Sequence, residues 1–276
     1  MMDDLSYFIS PETFMRLGFF AAIFSAVALG EKMAPRRILL KSKFRRWISN
    51  LGMQMIDAAV LIFLPVFPVG FALLCAQNGW GLLNHFQAAP LPAVILGVLV
   101  LDFIIYLQHR MFHRVPLLWR VHMVHHTDQD IDVTTALRFH PLEILISLLI
   151  KFAAVAAIGA PPLAVLIFEI ILNGAAMFNH GNLCIPPALD RILRLVLITP
   201  DMHRVHHSVI ARETNSNYGF SVPWWDRLLG TYLAQPREGH DRMKIGLNGY
   251  HDDRSLKLPS LLAMPFSYPE RITDAQ

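Results

Sequence analysis

Apolar residues gather along the chain into five long runs separated by short polar segments. Phe14 to Leu29 is apolar but for Arg16 and Ser25. Leu51 to Ala76 follows, interrupted near its start by Asp57 and later by Pro65 and Pro68, which predict a kink. Leu91 to Leu107 is the third run; Leu142 to Gly159 and Leu163 to Phe178 form an apolar hairpin (142–179) about Pro161 and Pro162. A helix rises about 1.5 Å per residue, so about 20 apolar residues cross a hydrocarbon core ~30 Å thick. The pattern predicts an all-α integral membrane protein, a multi-span bundle of four to five apolar helices. The hairpin either spans or re-enters. Arg16 is near enough to an end to snorkel. Glu169 and Asn173 share a helical face, predicted to turn inward, with Glu169 supporting the site or gating substrate.

The polar segments set the orientation. Lys32, Arg36, Arg37, Lys41, Lys43, Arg45 and Arg46 make seven basic residues in one short stretch, the mark of a cytoplasmic loop. Asp3 and Asp4 open the chain without the positive start of a cleaved signal peptide and are expected outside. Counting spans from there places 109–141 and 180–276 on the cytoplasmic side. The expected organisation is 1–108, membrane helices with the basic loop, and 109–276, a catalytic region. The latter holds the apolar hairpin and a C-terminal cytoplasmic cap of short helices.

Composition strengthens this reading. Hydrophobic residues are 54% and charged residues 16%, with mean hydropathy +0.41; soluble domains are nearer a quarter charged. Net charge is +3. The basic stretch is interleaved with Ile38, Leu39 and Leu40, which suits a membrane surface rather than nucleic acid. Cys75 and Cys184 are the only cysteines, so a disulfide framework and thiolate metal sites are excluded.

Histidine carries the candidate chemistry. Eight of the 13 histidines fall in two stretches: His109 and His113 with His122, His125 and His126, then His203, His206 and His207. Residues four apart on a helix share a face, so His109 and His113 can reach one metal. In each His-x2-His-His triplet the last two rings diverge by about 100°, enough to serve two metals. Nitrogen ligands without thiolate suit iron, copper or zinc; apolar surroundings favour oxygen chemistry on iron over zinc hydrolysis. His180 and His140 are further candidates, while His85, His240 and His251 are isolated. Asp128, Asp130 and Asp132 read as a solvated turn, or else as carboxylates orienting imidazoles. Asp201 either caps the last box helix or orients a ring. Arg110, Arg120 and Arg204 are expected to meet headgroups or snorkel, and Trp224 and Trp225 to sit at the interface.

With these boxes, the chain resembles the fatty acid hydroxylase superfamily, also called the sterol desaturase family. The likeness runs from Asp102 to Thr231 and includes Asp132-Val-Thr-Thr-Ala-Leu-Arg-Phe-His-Pro-Leu-Glu143, Phe178-Asn-His-Gly-Asn182, Pro200-Asp-Met-His-Arg-Val-His-His-Ser208 and Trp225-Asp-Arg-Leu-Leu-Gly-Thr231. The resemblance implies a helical bundle whose cytoplasmic cap holds two non-haem iron ions. It implies His109, His113, His122, His125, His126, His180, His203, His206 and His207 as ligands, with His140 the tenth candidate. Some relatives carry one more histidine where this chain has Ala176. The implied reaction is O2-dependent hydroxylation of a membrane lipid, fatty acyl or sterol-like, with desaturation as the alternative. Electrons would come from a separate ferredoxin, cytochrome b5-like protein or reductase, at the inner membrane if the source is bacterial. A membrane metal carrier is the remote alternative, because the histidines gather beyond the spans rather than inside them. A zinc hydrolase lacks its His-Glu-x-x-His motif.

Overall fold

The computed structural model describes residues 11–64 and 67–267; Asp3, Asp4 and Pro65 lie outside them. Helices account for all regular structure among the described residues, apart from two isolated bridges, Pro35 to Leu183 and Ser208 to Ile245. The long helices are α1 (Pro11–Met33), α2 (Lys43–Ile62), α3 (Pro68–Gln77), α4 (Pro90–Arg114), α5 (Pro116–His126), α6 (Pro141–Ile158) and α7 (Pro162–Asn179). Short helices follow: α8 (Pro187–Leu193), α9 (Pro200–His206), α10 (Trp224–Leu228) and α11 (Leu258–Ala263). Proline opens most of them, at first-turn positions where its missing N–H has no helical partner to lose.

Among the described residues, four helices are long and apolar enough to cross a membrane: Thr13–Met33 within α1, then α4, α6 and α7. The 18 residues of α6 and of α7 each extend about 27 Å, so both arms of the hairpin have spanning length. The outward faces of α6, α7 and α4 are apolar and bare: Leu149 is 66% exposed, Leu163 55% and Ile95 52%. Such a surface needs lipid around it. The inward faces of α3, α4, α6 and α7 meet in a core built on Cys75, Leu101, Ile105, Val155, Val165 and Phe168. At the end away from the histidines the chain turns tightly, and Gly81 (φ +91°) lies against Gly159. A Cβ on Gly81 would meet the Gly159 nitrogen at 2.0 Å, so no side chain fits there.

The break expected in the second run falls where the prolines predict: α2 ends at Ile62 and α3 begins at Pro68. α2 buries Arg46, Ser49, Asn50 and Asp57. Glu169 touches none of the histidines. It pairs with Arg16 at 3.1 Å and Lys151 at 2.9 Å, about 16 Å along α7 from His180. Trp225 is half-buried; its indole donates to Asp102 Oδ2 at 2.7 Å and holds α10 against α4.

The solvated-turn reading of 128–132 is also overturned. Asp128 and Asp132 are fully buried and grip Arg46 of α2, with Nε to Asp128 Oδ1 at 2.7 Å and Nη1 to Asp132 Oδ2 at 2.6 Å. Asp130 accepts from the Leu40 and Lys41 amides. Arg138 donates to Val124 O and to Thr127 Oγ1, covering the carbonyl end of α5. The basic stretch therefore does structural work: it fastens the N-terminal helices to the loop directly after the second histidine box.

Candidate metal centre

The histidines arrive on four separate pieces of backbone. α4 ends with His109 and His113, α5 with His122, His125 and His126, and α9 with His203 and His206, His207 being its C-cap. His180 is the C-cap of α7. These pieces place nine imidazoles in two buried groups. His109, His113, His122, His126 and His206 form one; His125, His180, His203 and His207 form the other. Within each group the nearest ring nitrogens all lie within 4.8 Å of one another.

The two triplets exchange their middle members. His122 and His126, four apart, serve the five-membered group, and His125 crosses to the other. His203 and His207, also four apart, serve the four-membered group, and His206 crosses back. Each triplet thus contributes to both groups, so neither can form without the other half of the chain. In the four-membered group, the position one turn before His180 is occupied by Ala176.

The ring chemistry suits a cation at the centre of each group. Four Nδ1 atoms face oxygen at 2.7 Å: His109 to Tyr218 O, His122 to Glu143 Oε1, His180 to Ala176 O and His206 to Ser216 O. A carbonyl or carboxylate only accepts, so Nδ1 carries the proton and Nε2 offers a lone pair. His109 Nε2 is proton-free and lies 3.1 Å from His122 Nε2. Around proton-free His180 Nε2 stand the Nε2 atoms of His125 at 3.0 Å, His203 at 3.1 Å and His207 at 3.2 Å. One lone pair on His180 Nε2 can accept only one proton, so nitrogens packed this closely are best accommodated around a cation. Further ring nitrogens are buried without a hydrogen-bond partner, among them His113 Nε2 and His206 Nε2. An all-imidazole donor set of this kind fits a divalent transition metal and fits iron well.

Burial keeps the rings in the neutral form that binds metal. It pushes His122 down to about 3 and His180 to about 4, and it pushes His125, His126, His203, His206 and His207 well below the usual imidazole value, with neighbouring rings lowering these five further. Above pH 6.5 such rings are neutral in both folded and unfolded chains. As pH falls below 6.5 the unfolded chain takes up protons that the folded chain refuses. The metal-free chain should therefore lose stability between pH 6.5 and about 4, by up to roughly 1.4 kcal/mol per pH unit for each such ring. Thermal unfolding of apoprotein at pH 7 and pH 5 checks this; an unchanged midpoint would mean the rings are not buried neutral.

His140 joins neither group. Its Nδ1 accepts from the Leu142 amide and its Nε2 lies 3.2 Å from Leu262 O, so it caps α6. Asp201 does not cap α9 either; Thr199 does, and Asp201 binds Arg204 and Arg36. Arg204 is accordingly buried in an ion pair rather than snorkelling. His85 and His251 are exposed, but His240, read as isolated, is buried beside Asp201.

Several contributors escaped sequence reasoning. Glu143 is a buried carboxylate fixing the His122 tautomer; its signal was an acid in the first turn after His140-Pro141. Phe139 stacks on His125 at 4.6 Å, and Phe220 lies 4.9 Å from His109. Phe220 also packs against the apolar core of the bundle, so hydrophobic surface leads to the rings. A cavity of about 380 Å³ lined by His113, Arg114, Asn215 and Tyr218 opens beside the five-membered group. Glu143→Ala should weaken metal binding in the five-membered group about 10–100-fold and leave the other group unchanged. Chelator competition measures this; equal loss from both groups would contradict the assignment of Glu143.

Residues 94–231, half of the chain, match the family model for fatty acid hydroxylase. The chain belongs to the fatty acid hydroxylase family. It is 31% identical over 204 residues to an ornithine lipid hydroxylase of Rhizobium tropici, covering 73% of this chain and 59% of that one. It is 31% identical over 150 residues to alkylglycerol monooxygenase of Homo sapiens, covering 52% of this chain and 30% of that one. Cholesterol 25-hydroxylase of Rattus norvegicus is 26% identical over 145 residues, covering 52% and 47%. The chain thus spans less than two thirds of the length of these relatives. No solved structure gives a significant match.

Proposed function

We propose that this chain is an oxygen-dependent hydroxylase acting on a C–H bond of a membrane lipid, with one iron ion in each histidine group. The observation that carries the reading is the pair of buried groups, joined by the exchange of His125 and His206, in which proton-free nitrogens converge. The five ligands His109, His113, His122, His126 and His206 would hold one ion, and His125, His180, His203 and His207 the other. Bound iron would supply the activation of O2. The overall change is RH + O2 + two electrons + two protons giving ROH and water, so a separate electron carrier is required.

The chain's own residues prepare the site. The carbonyls of Tyr218, Ala176 and Ser216 and the carboxylate of Glu143 hold ring protons at Nδ1 and so present Nε2 inward. Phe139, Phe220 and Trp119 flank the rings and exclude water from one side. Apolar substrate approaches from the bundle, where Phe220 meets the core, and the cavity at His113 and Arg114 is the polar access. The basic stretch lies at the histidine end of the bundle, through Arg46 and Asp128, which supports a cytoplasmic active site. Within that frame 1–108 serve as anchor and brace and 109–276 as the catalytic region.

Relatives named hydroxylases and monooxygenases favour hydroxylation over desaturation. Their substrates as named differ in headgroup and skeleton, so the class assigned is a membrane lipid. The test is lipid mass spectrometry of membranes with and without the chain under labelled O2. A product carrying one labelled oxygen supports the reading. A product lacking two hydrogens and the label would replace it with desaturation, and no oxygen-dependent product would refute both.

A further inference from the structure

A second cluster of polar side chains lies on the other side of α9 from the histidines. Its centre is Asp201. Arg36 Nε meets Asp201 Oδ2 at 3.2 Å, Arg204 pairs with Oδ1, and His240 Nε2 stands 3.8 Å from Oδ2, too far for a hydrogen bond. Arg36 also pairs with Asp241. Arg37 is pinned beside them through its backbone: its amide donates to Asn182 Oδ1 at 3.0 Å, and its carbonyl accepts from Asn182 Nδ2 at 2.8 Å.

Donors in this cluster outnumber acceptors. Arg204 is 1% exposed and His240 7%. Arg204 Nη2, Arg37 Nη1 and both His240 ring nitrogens are buried with no hydrogen-bond partner. Both oxygens of Asp201 are already engaged; of the acids near Arg37, Asp130 is bound to the Leu40 and Lys41 amides and Asp241 pairs with Arg36. Buried guanidinium donors without acceptors are costly, and a buried neutral imidazole N–H without one adds to the cost. A tetrahedral oxyanion presents several acceptors at once and matches guanidinium geometry.

The surroundings say where the anion comes from. Immediately after Arg37 the chain exposes Ile38 at 91% and Leu40 at 75%, and Phe44 follows at 74%. Apolar side chains so bare, at the inner end of α1, sit where lipid acyl chains begin. Arg36, one-fifth exposed, opens the cluster towards that level.

We propose that Arg37, Arg204 and His240 bind the phosphate group of an anionic membrane lipid at the headgroup level. The site is distinct from the histidine groups and does not depend on what they catalyse. It would seat the chain on an anionic leaflet, with Arg204 linking the bound headgroup to the helix that carries His203 and His206.

The test uses the full-length chain in nanodiscs containing phosphatidylcholine and phosphatidylglycerol in equal amounts, followed by native mass spectrometry of the released protein. Phosphatidylglycerol should be retained about tenfold over phosphatidylcholine, and Arg37→Gln and His240→Gln should each remove most of that preference while metal content stays unchanged. Phosphorus NMR of the detergent-solubilised chain with inorganic phosphate is the second arm. Binding of free phosphate that both variants abolish, without lipid preference, would keep the oxyanion site but assign it to the soluble ion and overturn the lipid. Equal retention of the two lipids with no phosphate binding, or a preference unchanged in both variants, would overturn the site itself.

Discussion

His206→Ala is expected to weaken iron binding selectively in the five-membered group, which keeps four rings, and to reduce hydroxylation more than about 100-fold, beyond the loss typical of residues behind the ligands. His206 sits on the same helix as His203 but serves the opposite group, so its loss opens the five-membered group and leaves the four-membered group complete. His125→Ala should do the reverse. Both variants should fold, because a buried histidine replaced by alanine vacates a polar site rather than a packed core. Metal analysis beside circular dichroism checks this. If either variant lost both metals while remaining folded, the two groups would be a single binding unit and the partition would be wrong.

Arg46→Met is expected to destabilise the chain by about 3–5 kcal/mol, the usual cost of removing one partner from a buried ion pair. Arg46 is enclosed by Asp128, Asp132, the Asp130 carbonyl and Thr135, at distances of 2.6–3.1 Å. Burial pushes the Asp128 carboxyl up, but the adjacent guanidinium outweighs it and holds the group at about 2. The folded value is below the ordinary one of 3.8, so this stabilisation is present above pH 3.8 and is lost as pH falls through 2. In Arg46→Met the carboxylates of Asp128 and Asp132 are left buried without their cation. The loop after His126 should loosen, and iron content should fall along with the unfolding midpoint. Arg46→Lys should recover part of the stability, having the charge without the forked geometry. An unchanged midpoint in Arg46→Met would show that the clamp does not hold the second box.

The metal centre was legible because its signal is local. Histidines three and four apart on short helices declare their shared faces, and the divergence of the last two rings in each triplet already pointed to two metals. Which ring serves which ion was not legible, since the exchange of His125 and His206 depends on how α5 and α9 approach each other. His140 misled because it lies in a histidine-rich motif, yet the following Pro141 marks it equally as the residue before a helix. The acids at 128–132 were placed correctly in a turn and wrongly in solvent, because Arg46 is 82 residues away from Asp128. The broken second span had a readable warning: Arg46, Asn50, Met53 and Asp57 recur at helical spacing and form a buried stripe too polar for lipid. His240 seemed isolated for the same reason that Arg46 seemed merely basic, namely that its partners come from distant parts of the chain.

The central claim is two metal positions, and the number of ions bound tests it most directly. Purified chain should be stripped of metal, titrated with ferrous iron without oxygen, desalted, and analysed for iron per chain. The account predicts a plateau at about two irons, one for each histidine group; a plateau at one, or no retained iron in a folded chain, would contradict it.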